Sequence, residues 1–182
     1  MSISKLARLG VVMVVVVVGA GVAVAKGAKK RKVAPSFARV TGWSTLRPGM
    51  AADDARAALT ARGVAVEEHA GNAKPPHWLA FERDGWRGTI YLDDGDRRVS
   101  EILFQGPKLD DEAATDAVVA GYRARYGAAA TIERVDGADG TFVETHHTWR
   151  NAHVVLVVTA HGSQTGGWWV SEVWRTPTAA QP

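Results

Sequence analysis

Between Val64 and Phe104 the chain leaves itself no room for a crossover. Four stretches with strand-like composition, Val64–His69, His77–Arg83, Arg87–Leu92 and Arg98–Phe104, follow one another through short connections. Asp84-Gly85 separates the second from the third, and Asp93-Asp94-Gly95-Asp96 the third from the fourth. A parallel return needs a connection of roughly a dozen residues or more, so links this short dictate antiparallel neighbours. Asp-Gly between two such runs is also a strong hairpin signal.

Ahead of these strands, Met50–Gly63 (MAADDARAALTARG) has the pattern of a short helix. Asp53 and Asp54 in its first turn and Arg62 in its last complement the helix dipole. Ala51, Ala55, Ala58 and Leu59 fall on one face, whose small residues suit close approach to a sheet. The order then restarts. Asp110 is expected to cap a helix over Asp111–Tyr126, with Thr115, Val118, Val119, Tyr122 and Tyr126 as its stripe and Gly127 at its end. Four more strands are expected at Ala130–Val135, Thr141–Arg150, His153–Ala160 and Trp168–Arg175. Val99-Ser100-Glu101 in the last strand of the first set reappears as Val170-Ser171-Glu172 in the last strand of the second. The ordered correspondence predicts an α+β fold of two repeated units, 41–107 and 108–176, each a helix packed on a four-stranded antiparallel sheet. Ile102 and Val173 then take equivalent, similarly buried places.

The segment Leu46–Val64 (LRPGMAADDARAALTARGV) is similar to the opening of the SmpA/OmlA small envelope proteins, where an apolar residue, Pro or Val, Gly and Met lead into a short helix ending in Gly. A tandem of two such units resembles the fold of the β-lactamase inhibitory proteins. That resemblance implies joined sheets with a concave face that grips a protein partner. The Cys of the lipoproteins is missing, and nothing in the chain specifies a β-lactamase as the partner.

The 22 Lys and Arg outnumber the 19 Asp and Glu, but the excess is local. Lys5, Arg8, Lys26, Lys29, Lys30, Arg31 and Lys32 precede the first acidic residue, leaving the remainder net acidic. A phosphate-backbone footprint needs a basic face on the domain itself, so no nucleic-acid partner is expected. The uncharged run from Leu9 to Ala25 follows a short basic region, and Ala23-Val24-Ala25 has the form of a signal-peptidase site. Two readings of residues 1–25 stay open: a cleaved signal peptide of a periplasmic or secreted protein, or an uncleaved membrane anchor. The basic cluster 26–32 complicates both, because charge placed just after the run opposes its translocation. Residues 26–40 read as a basic linker and 177–182 as a loose tail. Association with a membrane through residues 9–25 and 26–32 is the sharper option for this end. With no Cys, the chain has no disulfide, no thiol chemistry and no Cys-based metal site.

Seven Trp residues are the other departure from the ordinary. Along the last strand Trp168, Val170, Glu172 and Trp174 alternate with Trp169, Ser171, Val173 and Arg175, so aromatic rings stand on both faces. On Thr141–Arg150, Trp149 shares a side with Val143, Thr145 and His147. One face can pack on helices; the other is expected to be an aromatic binding surface formed by Trp149, Trp168, Trp174 and His147. At least two of Trp149, Trp168, Trp169 and Trp174 should stay exposed on it.

No cofactor and no metal are expected. His146, His147, His153 and His161 are close in sequence, but adjacent His146 and His147 point to opposite faces and no ligand spacing is recognisable. Ser163 in His161-Gly162-Ser163 lacks the surroundings of a nucleophile elbow. Asp93, Asp94 and Asp96 read as a solvated turn rather than a cation loop. The expected role is a non-catalytic extracytoplasmic binding module for a protein partner; the alternative is a membrane-anchored structural component of the envelope.

Overall fold

The computed structural model describes residues 36–70, 77–137 and 140–178. The signal or anchor segment 1–25, residues 26–35 of the linker and the end of the tail lie outside the described residues. In chain order the elements are α1 (Ala52–Thr60), β1 (Glu67–Ala70), β2 (His77–Arg83), β3 (Trp86–Leu92), β4 (Val99–Gln105), α2 (Glu112–Tyr126), β5 (Thr131–Asp136), β6 (Phe142–Arg150), β7 (Val155–Ser163) and β8 (Gly167–Arg175). No helix among the described residues is long and apolar enough to cross a membrane.

The eight strands form one antiparallel sheet in the order β1-β2-β3-β4-β8-β7-β6-β5. This corrects the expectation of two repeated units, each a helix on its own four-stranded sheet. β4 and β8 pair directly from Glu101 with Arg175 to Gln105 with Ser171. Unjoined, β4 and β8 would each present a row of unpaired backbone groups; pairing them satisfies both rows. The two Val-Ser-Glu stretches are not equivalent either. In β4 the ladder to β3 shifts register, so that Leu92 faces Val99 while Tyr91 faces Glu101. The extra residue, Ser100, lets Val99 and Ile102 both reach the core. β8 alternates regularly, burying Val170, Glu172 and Trp174 and leaving Val173 only half-buried.

Local chemistry explains the elements. Asp84 and Gly85 turn β2 into β3 with φ of 53° and 78°, the left-handed pair that a tight hairpin requires. Asp111, not Asp110, caps α2, its carboxylate accepting from the Ala114 N–H at 2.8 Å. Trp149 Nε1 donates to the Gly127 carbonyl at 3.0 Å, tying β6 to the end of α2.

The core lies between the helices and one face of the sheet. Leu79, Phe81, Ile90, Ile102, Phe104, Trp174, Leu156 and Trp149 point into it and meet Ala55 and Leu59 of α1 and Val119 and Tyr126 of α2. α2 packs over β7 and β8. Phe37, assigned from sequence to the linker 26–40, is in this core, edge-on to Tyr126 at 5.3 Å and stacked on Trp174 at 6.3 Å. Asn151 holds that segment in place. Its Nδ2 donates to the carbonyls of Phe37 and Val40, both at 2.8 Å, and its Oδ1 accepts from the N–H groups of His153 and Val154. Asn151→Ala removes these four hydrogen bonds, leaving the Phe37 carbonyl only its bond from the Val40 N–H, and is expected to cost about 2 kcal/mol, measurable by urea unfolding.

Candidate functional site

The helices cover one face of the sheet except at β5, where every residue is exposed, including Ile132 opposite His147. The opposite face is built from the alternate residues of every strand. One cross-strand row runs Trp78, Tyr91, Glu101, Arg175, Val155, Arg150. The next runs Ala80, Thr89, Leu103, Val173, Val157, Thr148. Leu103, Val173 and Val157 make an apolar centre, and all three are half-buried rather than sealed. Charged Glu101, Arg175 and Arg150 border it. Aromatic pairs stand toward two corners: His69 stacked on Trp78 at 5.3 Å, and His161 stacked on Trp169 at 4.8 Å with 6° between the rings. A groove of about 470 Å³ crosses the face, lined by Tyr91, Ser100, Glu101, Leu103, Arg175, Thr176 and Thr178. Arg150 Nη2 donates to the Thr178 carbonyl at 3.0 Å, holding the described end of the chain beside that groove.

A polar network occupies the Trp169 corner. Glu144 Oε1 lies 3.0 Å from His161 Nδ1, and Glu144 Oε2 lies 3.4 Å from His146 Nε2. His161 Nε2 meets Ser171 Oγ at 2.8 Å, and His146 Nδ1 meets Thr159 Oγ1 at 3.0 Å. Carboxylate, imidazole and hydroxyl thus stand in relay order from Glu144 through His161 to Ser171. Acyl transfer would also need donors aimed at a developing oxyanion. Ser171 lies within β8, which pairs with β4 on one side and β7 on the other, so the surrounding backbone is committed to the ladder. The network orients side chains on the face. Burial lowers the His161 pKa, against the raising influence of Glu144.

The covered face holds a second polar centre. Glu172 is the one buried carboxylate among the described residues. Trp174 Nε1 donates to its Oε2 at 3.2 Å, and the Tyr122 hydroxyl also hydrogen-bonds to it. Burial pushes its pKa up to about 7, although both donors favour the ionised form. The same burial, with Glu172 beside it, raises Tyr122. A cavity of about 210 Å³ opens against the carboxyl, lined by Trp43, Val118, Gly121, Tyr122, Arg125, Tyr126 and Glu172. On β6, His147 lies 3.4 Å from Arg123, and its pKa is lowered by burial and then by that guanidinium.

The residues expected to form the binding surface lie elsewhere than on the open face. Trp149, Trp174 and His147 are 1%, 0% and 3% exposed, beneath α2. Trp168 shares their side and is half-buried near the sheet margin, where Leu109 bridges to it. The alternation holds but the two faces are exchanged relative to expectation: the heavier row, carrying Trp149 and Trp174, is the row that the helices cover. Trp169 is on the open face. Trp78, Tyr91, Leu103 and Val157 were not singled out, although their strands alternate plainly. Glu172 was also missed; its signal is an acid inside the apolar stripe Val170, Glu172, Trp174. His146 and His161 meet on one face through Glu144, while His147 faces the core. No group of three or more potential metal ligands is found among the described residues.

Comparisons with protein-family models, with curated proteins and with solved structures give no match.

Proposed function

We propose that this protein is a non-catalytic binding module that holds a protein partner against the uncovered face of its sheet. The observation that carries the reading is the composition of that face: an apolar centre at Leu103, Val173 and Val157, a charged border, and aromatic rings at Trp78, Tyr91 and Trp169. An apolar centre inside a polar rim, with aromatic anchors, is the anatomy of a protein interface. The N-terminal run Leu9–Ala25 and the chain without cysteine support an extracytoplasmic setting, through either a cleaved signal or a retained anchor. The resemblance of Leu46–Val64 to the SmpA/OmlA proteins points the same way.

Val173→Glu places a charge at the centre of the face without touching the core. The variant should unfold within about 1 kcal/mol of the parent, while a partner captured from envelope extract should be retained roughly tenfold less or worse. An identical set of captured proteins for parent and variant, or none above bare resin, would overturn the proposal.

A further inference from the structure

The cavity beside Glu172 is independent of the open face and has a chemistry of its own. A buried carboxylate ordinarily has a cation as partner, because desolvation of an isolated charge costs several kcal/mol. Among the described residues no ion pair reaches Glu172. Its hydrogen bonds come from the Trp174 indole and the Tyr122 hydroxyl. A carboxylate offers about four acceptor positions, so room remains for further N–H donors. The nearby guanidinium of Arg125 is engaged elsewhere, 5.1 Å over the Tyr126 ring.

The walls suit a cation. Trp43, Tyr122 and Tyr126 line the cavity, and the faces of such rings attract positive charge. Val118 supplies an apolar contact for a hydrocarbon stem. The wall on α2 is held open by Gly121, an interior helix position where glycine costs about 1 kcal/mol relative to alanine. Gly121 is exposed where it lines the cavity mouth, and a Cβ there would meet nothing within 4 Å, so packing does not require the glycine. At about 30 Å³ per heavy atom, the share of a molecule in liquid water, 210 Å³ admits a ligand of about seven heavy atoms.

We propose that this cavity binds a primary alkylammonium, its nitrogen donating to the Glu172 carboxylate, its charge faced by Trp43, Tyr122 and Tyr126, and its stem directed past Gly121. The charge of Arg125 disfavours a second cation on the ligand, so the far end is neutral or anionic. Binding requires the ionised carboxylate. The groups around Glu172 are Tyr122, Tyr126 and Arg125 from α2, Trp174 along β8, Phe104 of β4 and Val158 of β7, with His147 of β6 one strand further out beside Arg123 of α2. Of these, Glu172 itself titrates near 7 in the folded chain, so affinity rises with pH up to about 7 and levels off above it.

The test is a titration of the full-length chain with n-butylammonium chloride, followed by tryptophan fluorescence and one-dimensional NMR. Saturation is expected at pH 8 with a dissociation constant of about 1–10 mM, within reach of so small a ligand. Binding should weaken roughly tenfold or more at pH 5, and sodium butyrate should give no saturable response. Glu172→Gln removes the charge at nearly constant shape and should weaken binding by roughly tenfold or more. Gly121→Leu fills the opening while favouring the helix; it should block binding with an unchanged or raised melting temperature. No saturable binding at pH 8, or parental affinity in both variants, would overturn the proposal.

Discussion

Replacing Trp174 by alanine is expected to remove about 3–5 kcal/mol of stability, and replacing Trp169 about 1 kcal/mol. The two rings are five residues apart on the same strand and stand on opposite faces. Trp174 is 0% exposed, between Phe37, Tyr126 and the Ile102 and Leu156 flanks of the neighbouring strands. Its removal opens a large cavity that rigid neighbours cannot close, and it also takes a hydrogen-bond donor from buried Glu172. Against the roughly 5–15 kcal/mol that holds a typical domain folded, that loss brings the variant near unfolding and lowers its melting temperature by roughly 10 °C or more. Trp169 lies flat on His161 on the open face, half-buried, and its loss mainly uncovers the imidazole. Thermal melts of the two variants decide the matter; equal losses would mean that both faces are core.

The second large effect is a pH dependence centred on Glu172. In the unfolded chain the group ionises near 4.5, and in the folded chain near 7. Below 4.5 it is protonated in both states, and its contribution is fully present. As pH rises from 4.5 to 7 the unfolded chain releases the proton first, so stability falls; above 7 both states are ionised and the loss is complete. Its size is about 3 kcal/mol, from 1.36 kcal/mol per unit of pKa difference. His147 and His161 act in the opposite direction. Their folded pKa values are lowered, so their contribution is present above the ordinary 6.5 and is lost as pH falls. The parent's profile therefore mixes both trends, and the difference between Glu172→Gln and the parent isolates the carboxyl. Glutamine should gain on glutamate across pH 4.5–7 and hold a constant advantage beyond it. A difference that does not change with pH would contradict the burial of an unpaired carboxylate.

Much of the architecture was legible because short connections leave few options. Strand neighbours, the Asp84-Gly85 hairpin and the glycine helix ends all follow from local chemistry. The joining of β4 to β8 did not, since pairing between distant strands leaves no local mark and the repeated Val-Ser-Glu suggested equivalence. A single bulge residue, Ser100, breaks that equivalence by shifting Val99 onto the same side as Ile102. The open face was harder. Period-two alternation separates two faces but does not say which one the helices cover, and Trp rings are as suited to a core as to an interface. The side with the larger buried volume won: Trp149 and Trp174 fill the space beneath α2, and the smaller Leu103, Val157 and Val173 remain outside. Phe37 was hidden by its neighbours, a single apolar anchor behind a run of lysines.

The central claim is that the helices cover one face of the sheet, β5 apart, and leave the other for a partner. Hydroxyl-radical footprinting of the protein, alone and bound to whatever Val173→Glu fails to capture, tests it most directly. Trp78, Tyr91 and Trp169 should lose labelling in the complex, while Trp43 and Tyr122 on the helix side keep theirs. Protection of Trp43 and Tyr122 with unchanged labelling of Trp78 and Trp169 would contradict it.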